Sequence, residues 1–181
     1  LFAELAFDPA LAGSAVPRLL LVDDEPLLLL SLSEFLKEPG YRLELASTGS
    51  EALDRLRRMS FDLVLLDLRL PDMSGHDVMD FINSTGIDTE VVVLSGDLDI
   101  DAAIGSLKRG ACDYLRKPYS RDSLLQTVEK ALRQRRLEAE NRRLTALTQA
   151  QNEELKALNA GLEQKVAERT AEVRQVLAMV E

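Results

Sequence analysis

"FDLVLLDLRLPDMSG", residues 61–75, contains an apolar run from Leu63 to Leu66 that ends on Asp67, with a further leucine on its other side. The run reads as a buried strand, and the Pro-Asp-x-x-Gly stretch after it as a turn. Leaving an ionised carboxylate in a dry core is costly, so Asp67 must be neutralised, paired or exposed at the strand's end. The choice depends on which other segments arrive at that end.

Working outward, the same grammar repeats. "RLLLVDDEP" (18–26) is a short apolar run followed by three acids and a proline suited to a helix start. "LLLLSLSEFLKEPG" (27–40) has helical spacing and stops at Pro39-Gly40. "YRLELA" (41–46) alternates as a strand, and "STGSEALDRLRRM" (47–59) opens on a cap-like Ser/Thr and is amphipathic. After the central strand come a helix from about Gly75 to Ser84, the strand "EVVVLS", a helix around "DIDAAIGSLKRG" and the short strand "CDYL". Strands whose cores are nearly continuous apolar runs, alternating with helices, predict a parallel sheet covered on both faces. Right-handed crossovers then close it as a doubly wound five-stranded α/β sheet.

Composition narrows the function classes. The longest all-leucine run is "LLLL" at 27–30, far short of a membrane span. No basic stretch precedes an apolar one near residue 1, so a signal peptide is not expected. The lone Cys112 cannot form an internal disulfide, which fits a reducing cytoplasm. Residues 1–119 carry 21 acidic against 11 basic side chains, which argues against binding a phosphate backbone there. Residues 120–181, with 10 against 11, are nearly neutral and of a different character. The chain starts without Met and ends inside a repeating pattern, so it is expected to be a piece of something longer.

That second part holds no Pro, and Gly161 is its single Gly. A continuous helix from Arg121 to Glu181 would run about 90 Å, longer than a domain of this size needs. Leu137, Leu144 and Leu158 share one heptad position, and Leu155 and Leu162 the other; Asn141, Thr148 and Gln151 interrupt them. Beyond Leu162 the phase slips by four residues, since Val166, Val173 and Val180 repeat by seven with Val176 between. That pattern predicts a coiled coil with a stutter.

Ligands of open α/β sheets bind at the carboxyl ends of the strands. Those ends carry Asp23 and Asp24, then Asp67, then Ser95, then Lys117. Each alone has a structural explanation as a cap, a turn or a surface charge; five at one edge do not. Three carboxylates repel one another unless a hard cation holds them, and oxygen ligands with room for water suit Mg²⁺. Such a cation would keep Asp67 ionised as a nucleophile, while Lys117 and Ser95 hold the oxygens of a transferring phosphoryl group. Asp67 is then an exposed nucleophile on a rigid strand end.

"LLLVDDEP", "LVLLDLRLPDMSG", "VVVLSGD" and "DYLRKPY" resemble, in order and spacing, the four motifs of bacterial two-component response regulator receiver domains. The resemblance covers about residues 18–135 and implies a flavodoxin-like fold with strand order 2-1-3-4-5. It implies that Asp67 accepts a phosphoryl group from the phosphohistidine of a sensor histidine kinase or phosphotransfer protein. It further implies Mg²⁺ bound directly by Asp24, largely through water by Asp23, and by Asp67 and the Arg69 backbone carbonyl. Ser95 and Lys117 would contact the phosphoryl group, Tyr114 would be the aromatic switch, and the Lys117–Pro118 bond would be cis. Arg69 and Asp97 stand where side chains tune dephosphorylation, and Cys112 where a small buried filler is usual. His76, the single histidine, lacks the four-helix setting of a phosphotransfer histidine, so a surface role is expected.

The domain organisation expected is a leader over 1–17, the receiver over 18–135 and a coiled-coil linker over 136–181. "LNAGLEQKVAERTAEV" (158–173) resembles linker helices that precede output domains, so a parallel homodimer relaying to an output domain beyond this chain is expected. Three other readings fit less well. A haloacid-dehalogenase type enzyme would need an acid two residues after its nucleophile, where Arg69 stands. An FMN binder of the same fold needs a first loop of Ser, Thr and Gly, and "DDEP" would repel the phosphate. A basic-zipper DNA binder would use Lys130, Arg133, Arg135, Arg136, Arg142 and Arg143, but two acids, Glu138 and Glu140, break that run. The chain is thus expected to be cytoplasmic, with no membrane contact and no direct DNA binding.

Overall fold

The computed structural model describes residues 16–96 and 100–179; most of the expected leader lies outside them, as do Asp97 and Val180. In chain order they form β1 (Arg18–Val22), α1 (Pro26–Lys37), β2 (Arg42–Ala46), α2 (Gly49–Arg58) and β3 (Leu63–Asp67). Then follow α3 (Gly75–Thr85), β4 (Glu90–Ser95), α4 (Ile100–Lys108), β5 (Asp113–Arg116) and α5 (Arg121–Ala178). The strands pair in parallel in the order β2-β1-β3-β4-β5, as the alternation and the resemblance imply. The chain divides after Arg135 into two compact units.

Alternation along each strand sorts the core into two layers. Leu19, Leu21, Leu63, Leu65, Val92, Leu94 and Leu115 face α1 and the start of α5, meeting Leu29, Leu32, Leu36, Leu124 and Val128. Leu20, Val22, Val64, Leu66, Val91 and Val93 face the other way, onto Ala52 and Leu56 of α2 and Val78, Met79 and Ile82 of α3. β1 and β3 are buried on both faces, which explains why their sequences are leucine and valine almost without interruption. Cys112 packs against the first layer, half-buried. Burial, helped by Glu90, pushes its thiol up to about 12, so it behaves as a filler and not as a nucleophile.

The same alternation positions the strand ends. Asp23 continues the phase of Leu19 and Leu21, Asp67 that of Leu63 and Leu65, and Lys117 that of Leu115. All three therefore emerge on the face of α1 and α5. Ser95 and Tyr114 continue the opposite phase, that of Val91 and Val93, and Tyr114 sits beside Val93 in the β4–β5 register. One period-two rule thus separates Asp23, Asp67 and Lys117 from the serine and tyrosine.

At the end of the first unit, Arg135 pairs with Asp62 at 3.4 Å and Asp88 at 3.2 Å. Asp62 also accepts a hydrogen bond from the Arg18 N–H at 2.8 Å, so this cluster ties α5 to the entry of β1. The second unit is helix as far as Ala178. Its apolar side chains, Leu137, Leu144, Leu147, Leu155, Leu158, Leu162, Val166 and Val173, are all 51–64% exposed. Among the described residues no helix is long and apolar enough to cross a membrane.

Candidate functional site

The site begins with the two turns that follow β1 and β3. In the first, Asp23 Oδ1 accepts the Glu25 N–H at 2.9 Å, and Pro26 starts α1 with its fixed φ. In the second, Gly75 N–H donates to the Leu68 carbonyl at 2.9 Å, and Arg69 and Ser74 form an isolated antiparallel bridge. That turn admits only glycine at its close: a Cβ on Gly75 would stand 2.8 Å from Leu68 Cα, and nearer still to the Asp67 carbonyl oxygen. Ser74 and Asp77 then cap α3 reciprocally.

The carboxylate oxygens of Asp23, Asp24 and Asp67 can all lie within 4.8 Å of one another. Asp23 is fully buried, Asp67 nearly so, and Asp24 is exposed. Lys117 reaches over from β5, past the intervening β4, and its Nζ lies 2.6 Å from both Asp23 Oδ2 and Asp67 Oδ2. Two inter-strand spacings amount to about 10 Å, a gap that a long lysine stem can help to span. The second Asp67 oxygen, Oδ1, accepts the Arg69 N–H at 2.9 Å.

Burial raises the Asp23 carboxyl above the usual carboxylate range, although the hydrogen bonds from Lys117 and the Glu25 N–H pull it back. Burial alone would lower Lys117, but its hydrogen bonds to Asp23 and Asp67 outweigh that and hold the ammonium above its ordinary value. The opening question has its answer in these contacts. Asp67 is paired at a strand terminus, and it is buried there at 6% exposure, not exposed as the sequence led one to expect. One ammonium against three carboxylates still leaves an excess of negative charge on an all-oxygen donor set, which suits a hard divalent cation.

The other expected site residues are close but differently engaged. Ser95 is buried one position beyond Leu94, the register partner of Asp67, and its hydroxyl donates to the Gly96 carbonyl at 3.1 Å. Its carbonyl accepts the Lys117 N–H at 2.6 Å, joining β4 to the lysine. The Lys117–Pro118 peptide is cis. Tyr114 is already half-buried against the second core layer. The Arg69 guanidinium lies across Gly96, 2.8 Å from where a Cβ would stand.

Three features are not apparent from spacing. Tyr119 has a buried hydroxyl with no hydrogen-bond partner among the described residues, and burial together with the charges of Asp23 and Asp67 pushes that phenol up. His76 is not a free surface side chain: it is half-buried, with Nε2 3.1 Å from the hydroxyl of fully buried Ser106 on α4. Helices on the same side of the sheet meet there, a contact that no local pattern around His76 encodes. Asp72, at the tip of the second turn, holds the N-terminus of α2.

Comparisons with known proteins agree with this geometry. Over 116 residues the chain is 34% identical to the cell cycle transcriptional regulator CtrA of Caulobacter vibrioides, covering 64% of this chain and 50% of that protein. The chain thus spans about half the length of the curated relatives it matches. Among solved structures, NtrX from Brucella abortus is 29% identical with a TM-score of 0.68, over 72% of this chain and 30% of that one. A CheY-like receiver domain protein from Methanospirillum hungatei is 29% identical with a TM-score of 0.65, over 68% of this chain and 99% of that one. Residues 19–129, more than half the chain, match the response regulator receiver domain, and the chain belongs to that family, a phosphoacceptor and not a conventional enzyme.

Proposed function

We propose that this chain is a phosphorylation-dependent switch in which Asp67 takes a phosphoryl group from the phosphohistidine of a sensor histidine kinase or phosphotransfer protein. The observation that carries the reading is the pairing of buried Asp67 with Lys117 at 2.6 Å inside a cluster of three carboxylates. In the reaction an Asp67 oxygen attacks phosphorus, the P–N bond to the donor histidine breaks, and that histidine leaves with its electron pair. Lys117 exchanges its contact with Asp67 for a phosphoryl oxygen, and the Ser95 hydroxyl turns from Gly96 to another. Asp23, Asp24, Asp67 and the Arg69 carbonyl would hold Mg²⁺, which supplies charge neutralisation between the carboxylate and the incoming phosphoryl oxygens.

The surface beside Lys117 suits such a donor. A groove of about 300 Å³ is lined by Glu25, Leu27, Leu28, Phe35, Lys117 and Tyr119. Leu27 and Leu30 on α1 stand 79% and 58% exposed. A protein donor must bring its histidine to Asp67, and an apolar helix face next to Lys117 gives it somewhere to rest. The assay is incubation with acetyl phosphate and Mg²⁺: one phosphoryl mass should be added, and EDTA should prevent it. Labelling undiminished by EDTA would overturn the metal assignment.

The phosphoryl contact should also bias a two-state switch. Drawing Ser95 toward the phosphoryl group opens space on the face it shares with Tyr114, and the half-buried ring can move further in. A structure of the beryllofluoride complex beside the free protein should show Ser95 shifted and Tyr114 in a second rotamer. One rotamer and an unmoved Ser95 in both states would remove this step.

Beyond the receiver, the tail is read as one strand of a parallel homodimer that relays the change to an output domain, in the cytoplasm. DNA is a poor partner for the basic side chains between Lys130 and Arg143. Lys130 lies 2.7 Å from Asp113, Arg135 is engaged by Asp62 and Asp88, and Arg143 faces Glu140 at 3.9 Å. At least three of the six basic groups therefore already face carboxylates of the same chain.

A further inference from the structure

The two oxygens of Asp67 are held in different ways. Oδ2 is held by the Lys117 side chain, and Oδ1 by a backbone N–H, that of Arg69, at 2.9 Å. The orientation of the carboxylate therefore depends on where the turn between β3 and α3 places Arg69. Inside that turn the ties are few: the Gly75 N–H to the Leu68 carbonyl and the bridge between Arg69 and Ser74. The tip, at Asp72 and Met73, is fastened from outside.

Asp72 supplies that fastening. Its Oδ1 accepts the Gly49 N–H at 2.8 Å, and its Oδ2 accepts the Ser50 N–H at 2.9 Å and the Ser50 hydroxyl at 2.6 Å. These are the first two N–H groups of α2, which have no partner within the helix. The third, on Glu51, goes to Thr48, the helix's own N-cap residue, at 3.1 Å. Met73 packs against Gly49 in the space a side chain there would need. The Ser50 hydroxyl and N–H hold the Asp72 carboxyl down to about 2, so it stays ionised under all ordinary conditions. Helix α2 thus has two separable caps, one local and one lent by the turn.

We propose that Asp72 is a positioning residue for the phosphoacceptor: by anchoring the turn on α2 it places the Arg69 N–H that orients the Asp67 carboxylate. The assignment rests on the reading of Asp67 as phosphoacceptor. It also gives the exposed tip of the turn a role that extends from α2 to the reacting oxygen.

Three variants of the full chain test it: Asp72→Ala, Asp72→Asn and Thr48→Ala. Each is compared with the parent chain for its rate of labelling by acetyl phosphate with Mg²⁺. Amide hydrogen exchange across residues 68–75 is followed in the metal-free protein. Asp72→Ala should slow labelling roughly tenfold, the scale of losing a group that orients a reacting ligand, and should speed exchange at the Arg69 amide. The Asp72→Asn oxygen still accepts one hydrogen bond, so this variant should recover part of both effects. Thr48→Ala weakens the same helix end without touching the turn and should leave the labelling rate and the Arg69 exchange unchanged. Equal slowing by Thr48→Ala would reduce Asp72 to an ordinary cap, and an Asp72→Ala protein with parental rate and exchange would overturn the proposal. A parent chain that takes no label would instead overturn the phosphoacceptor reading, and the exchange comparison would still decide whether Asp72 positions Arg69.

Discussion

Asp67→Asn is expected to take up no phosphoryl group from acetyl phosphate, and Lys117→Met to label roughly a hundredfold more slowly, the scale of removing one transition-state donor. The stabilities of the two variants should diverge. Asparagine in place of Asp67 relieves repulsion among three carboxylates, so the metal-free protein should melt no lower than its parent. Removing Lys117 strands the fully buried Asp23 beside Asp67 without a counter-charge. Breaking a buried pair in this way costs about 3 kcal/mol. Because a bound divalent cation would replace the lost ammonium, saturating Mg²⁺ should return much of that loss through mass action. Intact-mass measurement and thermal melts with and without Mg²⁺ check both halves. Undiminished labelling of the Asn variant would remove Asp67 from its role. A Lys117→Met protein that Mg²⁺ does not stabilise would separate the lysine from the cation site.

How much of this was legible beforehand follows from the range of each interaction. The parallel sheet could be read because most strands are short apolar runs and every crossover is a helix, both local signals; its strand order came from the resemblance to receiver domains. The acidic edge could be read because chain direction alone puts Asp23, Asp24, Asp67, Ser95 and Lys117 at one end of a parallel sheet. The division of that edge into two faces follows from strand phase and was available in principle. What Lys117 does was only half visible: its bridge to Asp23 and Asp67 is a contact across 94 and 50 residues. Asp72 and His76 were read as a turn residue and a surface residue, since their partners Ser50 and Ser106 lie on other elements. Nothing within a few positions of either residue announces those pairings. The hydroxyl direction of Ser95 and the half-buried pose of Tyr114 are rotamers set by tertiary packing, which one sequence cannot express.

Residues 1–181 are expected to sediment as a dimer at tens of micromolar, roughly the range where a marginal coil pairs by mass action, and a version ending at Arg136 as a monomer. Spacing supports two strands in parallel. Leu137 and Leu144 fall at d positions and Asn141 between them at a, the place where a buried asparagine sets register and a two-stranded state. After the four-residue slip, Val166 and Val173 fall at a, and β-branched residues there also favour two strands. The leucines and valines of this seam stand more than half exposed on the single chain, an apolar stripe left open to solvent among the described residues. The polar a and d residues Asn141, Thr148 and Gln151 weaken the seam, and the slip locally unwinds it. In the proposed dimer a seam of that strength would shift phase on rearrangement of the receivers, which a continuous leucine zipper would resist. Asn141→Leu should therefore raise dimer affinity while loosening register, and photo-crosslinking from a short photoreactive maleimide on a single cysteine at position 144, in a Cys112→Ser background, should report it. In the parent, pairing of 144 with 144 should dominate; in the Asn141→Leu variant, cross-links from 144 to neighbouring positions should appear. A long chain that stays monomeric, or one whose position 144 cross-links to the far end of its partner's helix, would remove the parallel relay.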